Sequence, residues 1–168
     1  MPAAELLVRY TSQELKDLLE AAQSGSIKLT SEPRCGISVY RVRYNTRSAA
    51  GEPADANVVV AVLSGADALC TGARPVLLYA HGTSVQKWFD MANLRGNTEA
   101  RMVAAMCAGQ GFILVAPNYA GYAGSSLPYH AYLDADQQGT DMVDGLRAAR
   151  TSFSAMAAAD SGTLFISG

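Results

Sequence analysis

The chain has 168 residues, 49% hydrophobic and 17% charged, with a formal net charge of −2. That is enough chain for one globular core, and so small a charge gives no electrostatic footprint for nucleic acid or an anionic membrane. No apolar run approaches the ~20 residues that span a bilayer, and the opening M-P-A-A-E-L-L has neither the basic nor the apolar region of a signal peptide.

The first predicted element is a helix. Thr11-Ser12-Gln13-Glu14 reads as a capping box, and Leu15, Leu18, Leu19 and Ala22 follow at helical spacing. This predicts a peripheral helix ending near Gly25, within a lead-in over residues 1–30. Two strand-like runs come next, Ile37–Tyr44 and Asn57–Leu63, separated by N-T-R-S-A-A-G-E-P-A-D-A. They predict an antiparallel hairpin over residues 36–63 with a long polar connection. Arg41 and Arg43 alternate with Tyr40, Val42 and Tyr44, which predicts one solvated face.

From Pro75 the pattern changes. P-V-L-L-Y-A, then F-I-L-V-A ending at Ala116, then T-L-F-I-S from Thr163 are continuous apolar runs. Strands buried on both faces of a parallel sheet read this way. A helix capped by Asn97 lies between the first two, with Met102, Val103, Met106 and Cys107 at helical spacing and Gly109 or Gly111 at its end. Another runs from about Asp134 to Ser152, with Met142, Val143, Leu146, Ala149 and Phe153 as its apolar stripe. The fold class is therefore α/β: an antiparallel hairpin leading into a doubly wound, mostly parallel sheet over residues 75–168.

The three cysteines, Cys35, Cys70 and Cys107, show no C-x-x-C spacing and no neighbouring His, so no zinc site is expected. Cys107 reads as a buried, inert thiol. Cys35 and Cys70 flank predicted strands; their pairing stays open, since a disulfide needs Cα atoms within roughly 7 Å.

The chemistry-bearing residues gather after the apolar runs. His81-Gly82-Thr83-Ser84 ends the first of them, and ligand sites of open α/β sheets lie beyond the carboxyl ends of strands. A backbone N–H at such a turn stabilises an oxyanion when it sits about 3 Å from the developing charge. Thr83 is the candidate donor and Ser84 the alternate, with Gly82 permitting a sharp turn without a Cβ clash; the plainer reading is an ordinary turn. His81 and His130 both read as structural, His81 orienting the turn by hydrogen bonding. Trp88, Phe89 and Met91 either line an acyl pocket or cover the end of the sheet. The glycines of Pro117–Ser125 resemble a phosphate loop. They neither follow the first buried strand nor open a helix, so nucleotide binding ranks low, and Ser125 and Ser126 lack the elbow of a nucleophile.

Taken together, V-L-L-Y-A-H-G-T, F-I-L-V-A-P-N-Y-A-G-Y-A-G-S-S, Y-H-A-Y-L with D-G-L-R-A-A-R, and L-F-I-S-G resemble the α/β-hydrolases, more narrowly the secretory lipase and esterase branch, over Pro75–Gly168. The resemblance implies a carboxylic-ester hydrolase with a serine acyl-enzyme mechanism, acting on a small-molecule or lipid ester without metal or organic cofactor, and a secreted or periplasmic location. It implies His81, Gly82, Trp88 and Tyr119 as substrate-binding residues. Gly168 stands as the first glycine of the elbow G-x-S-x-G, so that Ser, acid and His are expected beyond residue 168. The domain over residues 1–168 is then incomplete, inactive alone, and partnered by the rest of its fold in a second chain or a continuation; otherwise its last strand is an open apolar edge. Asn118 departs from the family's A-P-D-Y-x-G-x-G, where Asp is usual. The alternative from another class is a non-catalytic α/β binding or interaction module lacking a triad.

Overall fold

A computed structural model describes residues 3–21 and 32–168. The elements in chain order are β1 (Ala4–Tyr10), α1 (Ser12–Ala21), β2 (Gly36–Arg47), β3 (Pro53–Ser64), β4 (Arg74–Tyr79), α2 (Thr98–Gln110), β5 (Ile113–Pro117), α3 (Ala135–Ser152) and β6 (Asp160–Ser167). Short 3-10 turns occupy Ala68–Cys70 and Ser154–Met156. The strands form one six-stranded sheet in the order β1-β2-β3-β5-β4-β6. The pairs β5–β4 and β4–β6 are parallel, whereas β1–β2, β2–β3 and β3–β5 are antiparallel. The sheet is thus mixed: β4, β5 and β6 pair in parallel, as expected for residues 75–168, and the antiparallel hairpin leads into them through β3.

Alternation along each strand builds a core on each face. Val59 and Ala61 of β3, Leu77 of β4 and Leu114 and Ala116 of β5 point to one side, where Leu15 of α1 and Val103, Ala104, Cys107 and Ala108 of α2 cover them. Val58, Val60, Val76, Leu78, Ile113 and Val115 point to the other, against Ala148 and Ala149 of α3. Full burial of each such Val, Leu or Ile contributes about 1.5–3 kcal/mol.

The helices start where their caps predict. Thr11 Oγ1 accepts from Glu14 N–H at 3.1 Å while Glu14 Oε2 accepts from Thr11 N–H at 2.7 Å, a reciprocal capping box. The expected end of α1 near Gly25 lies outside the described residues. Asn97 caps α2 and Asp134 caps α3, each accepting from a first-turn N–H, and Gly111 closes α2 in the left-handed region at φ 81°.

Several expectations need correction. β1 was not foreseen: it is an outer strand whose alternation breaks at an irregularity between Leu6 and Val8. The hairpin connection is short, residues 48–52, because the polar flanks continue the ladder as far as Arg47↔Pro53. Arg41 is not on a solvated face: it shares a side with Ile37 and Val39 and pairs with Asp90, its side chain 19% exposed. Of the expected α3 stripe, Ala149 and Phe153 are buried and Met142 and Leu146 pack against the core, whereas Val143 is 47% exposed; Gln137, Asp141, Gly145, Ala148 and Ser152 are buried as well. Among the described residues β6 lies at one edge of the sheet, with Phe165 49% and Ile166 70% exposed, the open apolar edge expected of this part of the fold.

Cys35 and Cys70 are disulfide-bonded with Cα atoms 5.5 Å apart, tying the start of β2 to the turn after β3. Cys107 is free and buried, and burial pushes its thiol up to about 12.

α3 comes closest to the sheet at Gly145. A Cβ there would lie 2.8 Å from Pro117 Cγ and 3.3 Å from the Tyr44 hydroxyl. Gly145→Val should force α3 off β5 and cost about 1–3 kcal/mol, seen as a lower urea midpoint at unchanged slope.

Candidate active site

Two loops leave the carboxyl ends of β5 and β4, and Gly168 follows the carboxyl end of β6, the other neighbour of β4 in the sheet. In the parallel register Tyr79 lies opposite Ser167, and Ala80 N–H continues the ladder to Ser167 O at 2.8 Å. The turn His81–Ser84 and Gly168 therefore emerge side by side. Their approach leaves no room for a side chain at residue 168: a Cβ would lie 2.7 Å from Ala80 O and 2.8 Å from Ala80 Cβ.

A cavity of about 280 Å³ opens between these loops, lined among others by His81, Gly82, Thr83, Tyr119, Tyr132 and Gly168. The first expected donor, Thr83, is exposed on its wall, and the Thr83 N–H has no acceptor among the described residues. Gly82 N–H is already committed to Glu99 Oε1 at 2.7 Å. Gly82 is not sterically required in the way the sequence suggested: its φ lies outside the left-handed region, and a Cβ would meet Glu99 only at 3.5 Å. Ser84 belongs to two neighbouring cavities, one of about 280 Å³ with Tyr122, Tyr129 and His130, the other of about 270 Å³ with Trp88 and Phe89. Ser84 O accepts from the Tyr122 hydroxyl. Trp88 is 69% exposed and lines the second of these, away from Gly168.

His81 is 6% exposed, with its ring 4.2 Å from that of Tyr119 and 4.4 Å from that of Phe89. Its Nδ1 lies 2.8 Å from Gly82 O, the geometry of a donated N–H, which leaves Nε2 buried without a partner. Burial lowers its pKa, offset in part by the Gly82 carbonyl, so the ring is neutral at pH 7. His130 Nδ1 lies 3.0 Å from Ala120 O and its ring packs on Tyr122 at 4.3 Å.

The loop after β5 is conformationally strained. Tyr119, Ala123 and Leu133 take positive φ of 52°, 45° and 60° without being glycine. Gly121, at φ 96°, sits where a Cβ would overlap Tyr129 O at 2.1 Å. Two buried groups hold the loop in place. Asp141 of α3, fully buried, accepts from Ala120 N–H at 2.9 Å and from Gln137 Nε2 at 3.0 Å. Asn118, also fully buried, accepts from Met91 N–H at 2.8 Å and donates to Asn57 Oδ1 at 2.8 Å and Asp90 Oδ1 at 2.9 Å. Asp90 in turn pairs with Arg41. Ser125 and Ser126 hydrogen-bond Asp55, a structural tie between this loop and β3.

The sequence did not point to Glu99, Tyr132, Leu133 or Gln138 at this site, and only chain-distant packing brings them there; a heptad or alternation pattern carries no such signal. Among the described residues no cluster of His, Cys, Asp and Glu is placed to hold a metal ion, and no helix is long and apolar enough to cross a membrane.

Two outcomes follow from the buried groups. Asn118→Asp should cost about 3 kcal/mol, because it removes two donated hydrogen bonds and sets a second carboxylate beside Asp90; urea unfolding measures it, and the loss should shrink at acid pH. Burial raises the Asp141 carboxyl to about 6, with its hydrogen bonds from Ala120 and Gln137 opposing. The unfolded value is near ~4, so the folded state binds the proton more tightly between the two values. The contribution of this group to stability therefore falls as pH rises from about 4 to about 6. Asp141→Asn should remove that slope, read from unfolding curves across the interval.

No family model matches the chain, and no curated protein matches it. Among solved structures it is similar to LipA from Xanthomonas oryzae, a rice cell wall degrading esterase, at 26% identity and a TM-score of 0.82. A ligand-bound form of the same esterase gives the same values. It is also similar, at 21% identity and a TM-score of 0.81, to a putative hydrolase from Legionella pneumophila, a likeness of fold. The matches cover 99% and 98% of this chain, which spans 41% and 42% of those proteins. The chain has the α/β-hydrolase fold over the N-terminal part of that architecture.

Proposed function

We propose that this chain supplies the scaffold and the oxyanion side of a serine carboxylic-ester hydrolase. The observation that carries the reading is the unpaired Thr83 N–H on the cavity that Gly168 also lines, at the carboxyl ends of adjacent parallel strands. The family order of nucleophile, acid and base then puts all three after Gly168. Ser, two residues beyond Gly168, attacks the ester carbonyl, and its proton passes to a His oriented by the acid. Thr83 N–H and the N–H following the Ser stabilise the tetrahedral oxyanion. The His returns its proton to the leaving alkoxide, and water repeats the cycle on the acyl-enzyme. Neither histidine of this chain suits the base: Nε2 of His81 is sealed in an aromatic stack and His130 is held on Ala120 O.

The substrate class is an ester of a small molecule or lipid; the esterase neighbours support the ester and leave the alcohol and acyl parts open. The Cys35–Cys70 disulfide supports an oxidising compartment, in keeping with secretion or a periplasmic location.

The polypeptide carrying the complete fold should hydrolyse p-nitrophenyl butyrate and take one organophosphate covalently on the Ser after Gly168. Neither hydrolysis nor adduct would overturn the reading and leave the non-catalytic binding module. Thr83→Pro, which deletes the donor, should lower kcat about 10²–10³-fold, whereas Thr83→Ala, which keeps the N–H, should fall far less.

A further inference from the structure

The two peptide planes that lead to Thr83 are gripped at defined atoms. The first, between His81 and Gly82, is held at both ends: its N–H donates to Glu99 Oε1 at 2.7 Å, and its carbonyl accepts from the Tyr119 hydroxyl at 3.4 Å. The second, between Gly82 and Thr83, is held at its carbonyl by the His81 ring at 2.8 Å. In a trans peptide the C=O and N–H point in opposite directions. A carbonyl fixed against His81 therefore turns the Thr83 N–H to the other side, and that N–H is the one left without a protein acceptor.

Glu99 is the charged member of this clamp. It lies in the first turn of α2, where the partial positive charge of the helix end favours a carboxylate. The same Oε1 accepts from the Tyr79 hydroxyl at 2.9 Å, so the carboxylate is fixed on a second side by the last residue of β4. Charge-assisted bonds of this kind are the stronger class. Burial, then the hydrogen bond to Glu99, raises the Tyr79 hydroxyl to about 12.

We infer that Glu99 is a positioning residue for the oxyanion donor: its carboxylate locks the Gly82 peptide so that the Thr83 N–H is preset toward the cavity. Glu99 touches neither substrate nor reacting atoms and acts through Gly82. Preset donors matter because the oxyanion exists only in the transition state, and a donor that must first rotate into place loses part of its effect.

The inference rests on the ester-hydrolase reading, and the test separates the two. In the complete polypeptide, Glu99→Ala should lower kcat for p-nitrophenyl butyrate about 10–100-fold with KM moved less than about threefold. Glu99→Gln keeps an acceptor oxygen and should restore most of that loss. The Gly82 amide should be protected from hydrogen exchange in the wild type and exchange faster in Glu99→Ala. A wild type with no hydrolysis and no organophosphate adduct overturns the hydrolase reading. An active wild type whose kcat is unmoved by Glu99→Ala, or is lowered equally by Glu99→Gln, overturns the role of Glu99 alone. Should Glu99→Ala fail to fold, the wild-type Gly82 amide decides: fast exchange overturns the clamp and protection supports it.

Discussion

The parallel pairing of β4 with β6 is the contact on which the site depends. It places Tyr79 beside Ser167, and so delivers the His81 turn and Gly168 to one spot although they are far apart in sequence. The pairing is tight enough that Ala80 excludes a Cβ at residue 168. A side chain there would push the two strand ends apart, and with them the donor of one loop from whatever follows the other. The glycine that the proposed elbow would need is thus also the glycine that strand packing needs.

β5 adds a second loop, and its strain is matched by buried anchors. A loop carrying three non-glycine residues at positive φ stands above its relaxed energy by of order 1–3 kcal/mol per residue. Asp141 holds it through Ala120 from the α3 side, and Asn118 holds its base from the α2 side. Both groups are fully buried, which makes their hydrogen bonds costly to break. The strain therefore persists, and it keeps Tyr119 and Leu133 on the cavity wall.

The parts of this fold that were legible in the sequence are those set by local rules. Continuous apolar runs marked β4 and β5, caps marked the starts of α1 and α2, and the strand-helix alternation marked the α/β class. The misreadings share a cause. β1 is an outer strand, and its faces do not carry the pattern of a covered strand. Arg41 was read as solvated because a charge in a strand usually is; its partner, Asp90, lies in a loop that only the tertiary fold brings across. At the site, the turn was legible from its position after a strand. Glu99 was not, because a first-turn glutamate is explained by the helix dipole alone and its bond to Gly82 crosses two elements.

Asn118 shows how a departure from a family pattern can be absorbed locally. Where Asp is usual, this chain has a neutral amide, yet a carboxylate is still present: Asp90 sits 2.9 Å from the Asn118 amide nitrogen. Asp90 has its own cation in Arg41, so the buried charge is paired. With the negative charge on the loop, the residue after β5 must donate, because Asn57 Oδ1 and Asp90 Oδ1 both face it as acceptors. Aspartate could not fill that role while ionised. The amide at residue 118 and the carboxylate at residue 90 therefore form one unit, and it fastens the segment running from the His81 turn toward α2 onto the sheet. The turn is then bounded on one side by Glu99 at the helix start and on the other by this amide–carboxylate pair, which is why a short run of backbone can hold one N–H free.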